Sequence, residues 1–338
     1  MSVYIHGGLR SPIGVLNGQY KHMRPEILGS QVIDEIINRY TISHIDGIFC
    51  GNAVGTGGNL GRLMGLMCNL PNSVPAITVD MQCASALMSI EIAYAHILSG
   101  IMDSAIAGGI ESSSLQPERV YASGDDRKGT YKVAQFTPQD QSPLAMLEGA
   151  ERTIHKHNVT KEDLYLHIIG SHQRASAALD NPYLQSYIMP ITIDGKRCID
   201  ECIRPTMNEK LLSRMKPLLG ADSITNAGNA CLTHDGAAFV YLSNKKGPFK
   251  IHSVKPWAGN PQFSPEGALE STEGILKRTG LTMDDIDVVE WNEAFAIIDV
   301  LFNKAYPNHI KKYNMLGGAL AYGHPYGCSG AILSLIHI

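Results

Sequence analysis

A cysteine stands where a predicted strand meets a predicted helix. Residues 76–79 are apolar and β-branched, which indicates a short buried strand, and apolar side chains recur at helical spacing over residues 87–98 until Gly100 ends the pattern. Cys83 therefore lies in the first turn of the predicted helix. Unpaired backbone N–H groups and the helix dipole stabilise a thiolate there, so we expect a lowered thiol pKa and a nucleophile. The alternative is a buried cysteine that only fills the core.

Two more loops carry residues suited to chemistry. Asn292 directly follows a predicted strand at residues 286–291, and open α/β sheets bind their ligands at the carboxyl ends of strands. Residues 314–330 are rich in glycine and place Pro325 beside His324. This pattern predicts a bent backbone that brings His324 to one particular place. The alternative is a flexible surface loop in which the histidine is incidental.

The composition is that of a globular protein with two or three hydrophobic cores. The 338 residues are 44% apolar and 18% charged. The net charge of −4, with no stretch dense in lysine and arginine, excludes a general nucleic-acid binder. The N-terminus lacks the pattern of a signal peptide, and no run of about 18 apolar residues could span a membrane. We therefore predict a cytoplasmic protein with no membrane partner.

The seven cysteines predict neither a disulfide framework nor a metal site. They are widely spaced for a chain of this length. Cys198 and Cys202 are four residues apart, but no second cysteine or histidine pair at zinc spacing accompanies them. We therefore expect no metal.

The elements that must position these residues predict an α/β fold with a largely parallel sheet. Strand patterns in the first part of the chain lie at residues 3–6, 47–51, 76–79 and 104–109, and helical patterns lie at 26–40 and from 62 onward. The more polar residues 115–226 carry helical patterns without clear buried strands, which indicates an inserted subdomain. Strand patterns return at 237–242, 249–251 and 286–291, so a second α/β unit follows.

An ordered set of motifs spans nearly the whole chain. It begins with Arg-Ser-Pro-Ile-Gly at residues 10–14 and Cys-Ala-Ser at 83–85, and its strongest members are Asn-Glu-Ala-Phe-Ala at 292–296 and Gly-His-Pro at 323–325. In these motifs the chain resembles the thiolases, the family of acetyl-CoA acetyltransferases and 3-ketoacyl-CoA thiolases. A ketoacyl synthase of the same superfamily is the enzymatic alternative, but the last two motifs fit thiolases better.

The resemblance implies an α/β fold of two similar halves, each a mostly parallel sheet flanked by helices, with an inserted loop domain. Residues 1–114 and 227–246 would form the N-terminal half, 115–226 the loop domain that covers coenzyme A, and 247–338 the C-terminal half. A faint echo between residues 83–90 and 328–335 agrees with such a duplication.

The resemblance also implies the chemistry of a thiolase. Cys83 would attack the acyl thioester, His324 would take the thiol proton as general base, and Asn292 would hold a water that helps bind the thioester oxygen. Three residues would border the pantetheine arm: Met146, Cys231 and Phe295. Coenzyme A thioesters would be the substrates, with no permanently bound cofactor. Thiolases assemble as dimers or tetramers, so we expect a homo-oligomer with the strand near 104–109 at the dimer contact.

The chain departs from the family pattern in two places. Asp80 and Ala86 stand where thiolases usually have asparagine and glycine, and an ionised Asp80 would raise the pKa of the nearby thiol. No Cys-x-Gly-x-Gly motif follows Gly330, although the second cysteine of thiolases removes a proton from the acetyl carbon. We therefore expect a shortened chain that accepts an acyl group without forming the carbon–carbon bond. The alternative function is an impaired, CoA-binding relative limited to acyl transfer or assembly.

Overall fold

The computed structural model describes residues 1–138, 142–231 and 233–337. Residues 139–141 of the predicted loop domain and Ile338, the last residue of the predicted C-terminal half, lie outside the described residues. Within the described ranges, every helix is too short or too polar to span a bilayer.

The bounds of the elements follow in chain order. The strands are β1 (Tyr4–Arg10), β2 (Gly14–Val15), β3 (Gly47–Gly51), β4 (Ala76–Val79), β5 (Ser104–Ser112), β6 (Arg119–Val120), β7 (Thr130–Tyr131), β8 (Thr192–Ile193), β9 (Lys196–Arg197), β10 (His234–Ser243) and β11 (Phe249–Lys250). The α-helices are α1 (Pro25–Arg39), α2 (Leu60–Gly65), α3 (Ser85–Leu98), α4 (Ala145–Lys156), α5 (Lys161–Ala177), α6 (Pro182–Ser186), α7 (Glu209–Leu212), α8 (Gly267–Thr279), α9 (Ala296–Ala305), α10 (Ala319–Tyr322) and α11 (Ser329–Ile336). Short 3-10 helices cover Gln82–Ala84, Pro261–Glu266, Met283–Asp285 and Pro307–Lys312.

A mixed sheet forms the centre of the molecule. Its strand order is β11-β1-β10-β5-β3-β4, with β2 paired to β10. The strand β3 runs parallel to β4 and β5, whereas β10 runs antiparallel to β1 and β5. Every residue of β5 is buried, which agrees with its run of apolar and small residues, interrupted by Glu111. The predicted α/β class and the strands predicted in the first part of the chain are confirmed.

Helices cover both faces of this sheet. Ile48 and Phe49 are neighbours in β3, and they point to opposite faces because side chains alternate along a strand. The face with Ile48 packs against α1 and α2, and the face with Phe49 packs against α3 and α11. The helix α11 comes from the last residues of the chain, so both ends of the sequence contribute to one core.

A third core joins residues 115–226 to the C-terminal part of the chain. It combines Ile154 of α4 and Ile168 of α5 with Phe302 of α9 and the ring of Trp291. Most of its members are apolar positions at helical spacing, which buries one face of each helix.

The strand predicted at residues 286–291 is wrong. The backbone there pairs only through an isolated parallel bridge between Val289 and Tyr313. The N–H of Val289 donates to the carbonyl of Lys312 at 2.9 Å, and the N–H of Asn314 donates to the carbonyl of Val289 at 2.9 Å. An apolar, β-branched segment becomes a strand only when a neighbouring strand pairs along its length, and no described segment does so here.

Backbone contacts dock the C-terminal part of the chain onto the sheet. The carbonyl of Gly327 lies so close to Gly51 of β3 and Gly109 of β5 that a Cβ atom at either position would collide with it. These glycines are therefore required by close approach of two backbones, since no side chain of any size fits.

We expect Gly109→Ala to lower the free energy of unfolding by about 3 kcal/mol, because the new methyl group overpacks a rigid backbone contact. Urea unfolding monitored by circular dichroism measures this loss. Gly267→Ala is the matched control, since a Cβ there meets no atom within 4 Å. Gly267 is also the first residue of the helix α8. An equal effect of both substitutions would contradict the docking contact.

Candidate active site

A strained turn holds Cys83 between β4 and α3. The residue before it, Gln82, has a left-handed backbone with φ of 50°. The carboxylate of Asp80 accepts a hydrogen bond from the N–H of Gln82 at 2.9 Å. The hydroxyl of Ser85 accepts from the N–H of Met81 at 2.8 Å and donates to the carbonyl of Gln82 at 2.6 Å. These bonds stabilise the turn that presents the thiol.

The hydrogen bonds of His324 define its protonation. The Nδ2 group of Asn292 donates to Nε2 of His324 at 3.1 Å. On the other side of the ring, Nδ1 lies 2.6 Å from the hydroxyl of Ser329. That hydroxyl donates its own proton to the carbonyl of Pro325 at 2.9 Å, so it accepts from Nδ1–H. The proton therefore resides on Nδ1, and Nε2 is the basic atom.

Asn292 leaves one polar atom available. Its Oδ1 is buried and has no hydrogen-bond partner among the described residues. A buried acceptor without a partner costs free energy, so the site favours a molecule that donates a hydrogen bond there. Asn292 also lines a groove of about 620 Å³ that reaches Cys83.

Glu111 is a buried carboxyl that joins the loop after β3 to the loop of His324. It accepts from the side chain of Asn52 at 2.9 Å, from the N–H of Ala53 at 3.0 Å and from the N–H of Gly327 at 2.9 Å. Burial raises the pKa of Glu111 to about 7, and these N–H donors oppose the rise. Its signal in the sequence is a single acid inside an otherwise apolar strand.

Glu293 fixes the loop of Asn292 in the same way. This buried carboxylate accepts from the hydroxyl of Ser171 at 2.6 Å, from Nδ2 of Asn314 at 2.9 Å and from the N–H of Leu320 at 3.2 Å. It therefore ties α5 to the glycine-rich loop before His324. Neither acid lines the cavity, so each acts through other residues. Sequence reasoning that looked for catalytic groups therefore did not single them out.

A cavity of about 430 Å³ opens on one side of Cys83 and His324. Five of the six predicted site residues line it: Cys83, His324, Met146, Cys231 and Phe295. The sixth, Asn292, reaches the site through its hydrogen bond to His324. Two cations that sequence reasoning missed also line the wall, Arg119 and Lys132. In the described part of the chain, no cluster of three histidine, cysteine or acidic residues could hold a metal ion.

The thiol of Cys83 is held in its neutral form. Burial raises its pKa to about 12, and the charge of Glu111 adds to the rise. The expected lowering by the helix N-terminus is therefore wrong, because loss of hydration outweighs the dipole. The expected influence of Asp80 is also replaced, since the carboxylate that acts on the thiol is Glu111.

His324 is neutral as well. Burial lowers its pKa to about 3, and the nearby His234 contributes to the shift. A neutral imidazole with an unprotonated Nε2 beside a neutral thiol can take the thiol proton when an electrophile arrives. The arrangement therefore suits nucleophilic catalysis in which deprotonation accompanies attack.

Family models match almost the entire chain. The model described as "Thiolase, N-terminal domain" matches residues 3–246, and "Thiolase, C-terminal domain" matches residues 249–338. The chain belongs to the thiolase family. This thiolase is 32% identical over 342 residues to "Putative acetyl-CoA C-acetyltransferase VraB" of Staphylococcus epidermidis, with 96% of this chain and 88% of the relative covered. It is also 32% identical to the protein of that name from Staphylococcus aureus, with 96% and 89% covered.

Solved structures show the same fold. The thiolase superposes on human mitochondrial 3-ketoacyl-CoA thiolase with a TM-score of 0.90 at 26% identity, covering 99% of this chain and 91% of that one. An acetyl-CoA acetyltransferase of Bacillus anthracis gives a TM-score of 0.91 at 24% identity, covering 99% and 90%, and shows likeness of fold. The predicted thiolase-like α/β fold is therefore confirmed.

We expect Cys83 of the folded thiolase to react slowly with iodoacetamide at neutral pH. With a pKa of about 12, only ~10⁻⁴ of the thiol is ionised at pH 8, and the rate should rise about tenfold per pH unit through pH 10. Mass spectrometry of the peptide that contains Cys83 measures the rate.

Two controls accompany this profile. The urea-unfolded chain should show the ordinary thiol profile, levelling near pH ~8.5. Glu111→Gln should react faster than the wild type at each pH, because it removes the negative charge that raises the pKa of the thiol. A folded wild-type profile that levels at or below pH 8 would restore the lowered pKa that the helix position suggested.

Proposed function

We propose that this thiolase transfers acyl groups of coenzyme A thioesters through an acyl-Cys83 intermediate, in acetyl-CoA condensation or 3-ketoacyl-CoA thiolysis. The observation that carries the proposal is that a neutral thiol and the unprotonated, basic Nε2 of His324 line one cavity. The names of the relatives, acetyl-CoA C-acetyltransferase and 3-ketoacyl-CoA thiolase, support the same reaction class.

The acylation step follows from this geometry. With acetyl-CoA as the substrate, the sulfur of Cys83 attacks the thioester carbonyl while its proton passes to Nε2 of His324. Ser329 accepts a hydrogen bond from Nδ1–H and so orients the ring for this transfer. The carbonyl electron pair moves onto the oxygen and returns when the carbon–sulfur bond to coenzyme A breaks. The departing sulfur takes the proton from His324, which leaves an acyl thioester on Cys83 and free coenzyme A.

Asn292 supports the oxygen that becomes negative. Its buried Oδ1 accepts a hydrogen bond from a water, and that water donates to the carbonyl oxygen as the tetrahedral intermediate forms. Donors aimed at a developing oxyanion contribute about 3–4 kcal/mol in related sites. The role of Asn292 is therefore to hold the donor and the ring of His324 together.

The same cavity also suits the rest of coenzyme A. We propose that Met146, Cys231 and Phe295 border its pantetheine arm, because they line the cavity together with Cys83. The cations of Arg119 and Lys132 on the same wall suit an anionic substrate. Several of these groups come from residues 115–226, which supports the proposal that this segment is a loop domain covering the substrate. In that proposal residues 1–114 and 227–246 form one half of the protein, and residues 247–338 form the other.

We expect incubation with acetyl-CoA to add one acetyl group to the protein, as measured by intact-mass spectrometry. Peptide mapping should locate this group on Cys83. Cys83→Ala should abolish the adduct. His324→Ala should slow its formation by about 10²–10⁴-fold, because the thiol loses its general base.

Cys202→Ala is the matched control for this experiment. Cys202 is also a partly exposed thiol, but it does not line the cavity of Cys83, so its replacement should leave acetylation unchanged. Acetylation that persists in Cys83→Ala would contradict the proposed acyl-Cys83 intermediate. Synthesis of acetoacetyl-CoA in the same mixture would show that the carbon–carbon bond also forms.

We propose that the protein acts in the cytoplasm as a homodimer or a homotetramer. All seven cysteines are free thiols, which fits a reducing compartment.

The strand predicted at the dimer contact is β5, but β5 is paired on both sides by β10 and β3. One edge of the sheet is β4, where Ile77 is 48% exposed, and the other is the two-residue strand β11. Exposed apolar residues of the neighbouring α2 and of the turn after it extend this surface: Leu63, Leu66 and Met67.

We expect the wild type to sediment as a dimer or larger at micromolar concentration, with β4 in the interface. Ile77→Glu should weaken the association by at least ~100-fold, because it buries a charge at the edge of the sheet. Leu166→Glu is the control, since Leu166 is 68% exposed on α5, away from β4. A monomeric wild type, or equal effects of both variants, would refute this contact.

A further inference from the structure

One polar group of the cavity has no part in the acylation step. Tyr326 lies two residues after His324, lines the same cavity as Cys83, and packs edge-to-face on the ring of His324 with 4.9 Å between the ring centroids. The ring contact fixes the direction of the phenol. The thiols of Cys83 and Cys231 line the same cavity as Tyr326.

The hydroxyl of Tyr326 lacks a partner. Among the described residues, none forms a hydrogen bond with it, whereas the hydroxyl of Tyr322 on the same loop donates to the carbonyl of Leu316 at 2.9 Å. Burial raises the pKa of Tyr326 above its usual range, so the phenol keeps its proton at every physiological pH. A partly buried donor that faces a substrate cavity is satisfied best by an acceptor on the substrate.

We propose that Tyr326 is a substrate-contacting residue that donates a hydrogen bond to the 3-oxo oxygen of a 3-ketoacyl thioester. This inference rests on the proposed function of the cavity. The thioester oxygen already has its donor in the water proposed to be held by Asn292, so the second oxygen of a 3-ketoacyl group is the acceptor left for the phenol. A saturated acyl chain of the same length places a methylene group there and leaves the hydroxyl unpaired.

Binding in a non-reacting protein isolates this contact from the chemistry. Calorimetric titrations of Cys83→Ala with acetoacetyl-CoA and with butyryl-CoA compare two ligands of equal carbon number that differ in the 3-oxo oxygen. We expect acetoacetyl-CoA to bind roughly tenfold more tightly, the size of one neutral hydrogen bond. Adding Tyr326→Phe, which keeps the ring contact with His324, should bring the ratio of the two dissociation constants close to one.

The control is Tyr322→Phe in the same Cys83→Ala background. It removes a phenol from the same loop but outside the cavity, so the ratio should stay at its original value. A ratio that Tyr326→Phe leaves unchanged, while both thioesters still bind, overturns the role of Tyr326 alone. If neither thioester binds the Cys83→Ala protein, the role of Tyr326 and the proposed function both fail. Thermal unfolding of each variant confirms that the compared proteins are folded.

Discussion

The active site depends on the docking of the His324 loop against the ends of β3 and β5. The carbonyl of Gly327 sits where side chains at Gly51 and Gly109 would be, and the carboxyl of Glu111 accepts from the N–H of Gly327. Because Cys83 follows β4, the neighbour of β3, this docking brings a histidine from the end of the chain to a cysteine from its first quarter. A rigid backbone contact sets their separation more tightly than flexible side chains would.

Enclosure of the site determines its electrostatics. Burial keeps the thiol of Cys83 protonated and His324 unprotonated, so the resting pair is neutral. A neutral pair avoids the cost of two buried charges, and in the proposed reaction charge develops only when the thioester is attacked. Glu111 serves the docking contact yet opposes the thiolate, so the group that assembles the site also helps to keep the thiol unreactive until substrate arrives.

Local patterns predicted much of the fold and the chemical groups of the site. The strands β3 and β4 and the helix α3 follow from apolar periodicity, and Cys83, Asn292 and His324 stand in motifs that need no tertiary information. The strand at 286–291 could not be judged in this way, because its pairing depends on distant segments. The contact strand of a dimer also needs the strand order, since only that order shows that β4 rather than β5 has a free edge.

The sequence by itself determined most of the elements and the family to which the chain belongs, and it singled out the proposed nucleophile and base. These properties are local, because periodicity and motif spacing are carried by neighbouring residues. Only the tertiary structure decided the protonation of Cys83 and His324, the role of Glu111 and the place of Tyr326 on the cavity wall. Those depend on burial and on charges contributed from far along the chain, and neither quantity is encoded at the residue that it changes. The position of Cys83 at the start of a helix indicated a thiolate, whereas the structure holds a neutral thiol beside a neutral histidine.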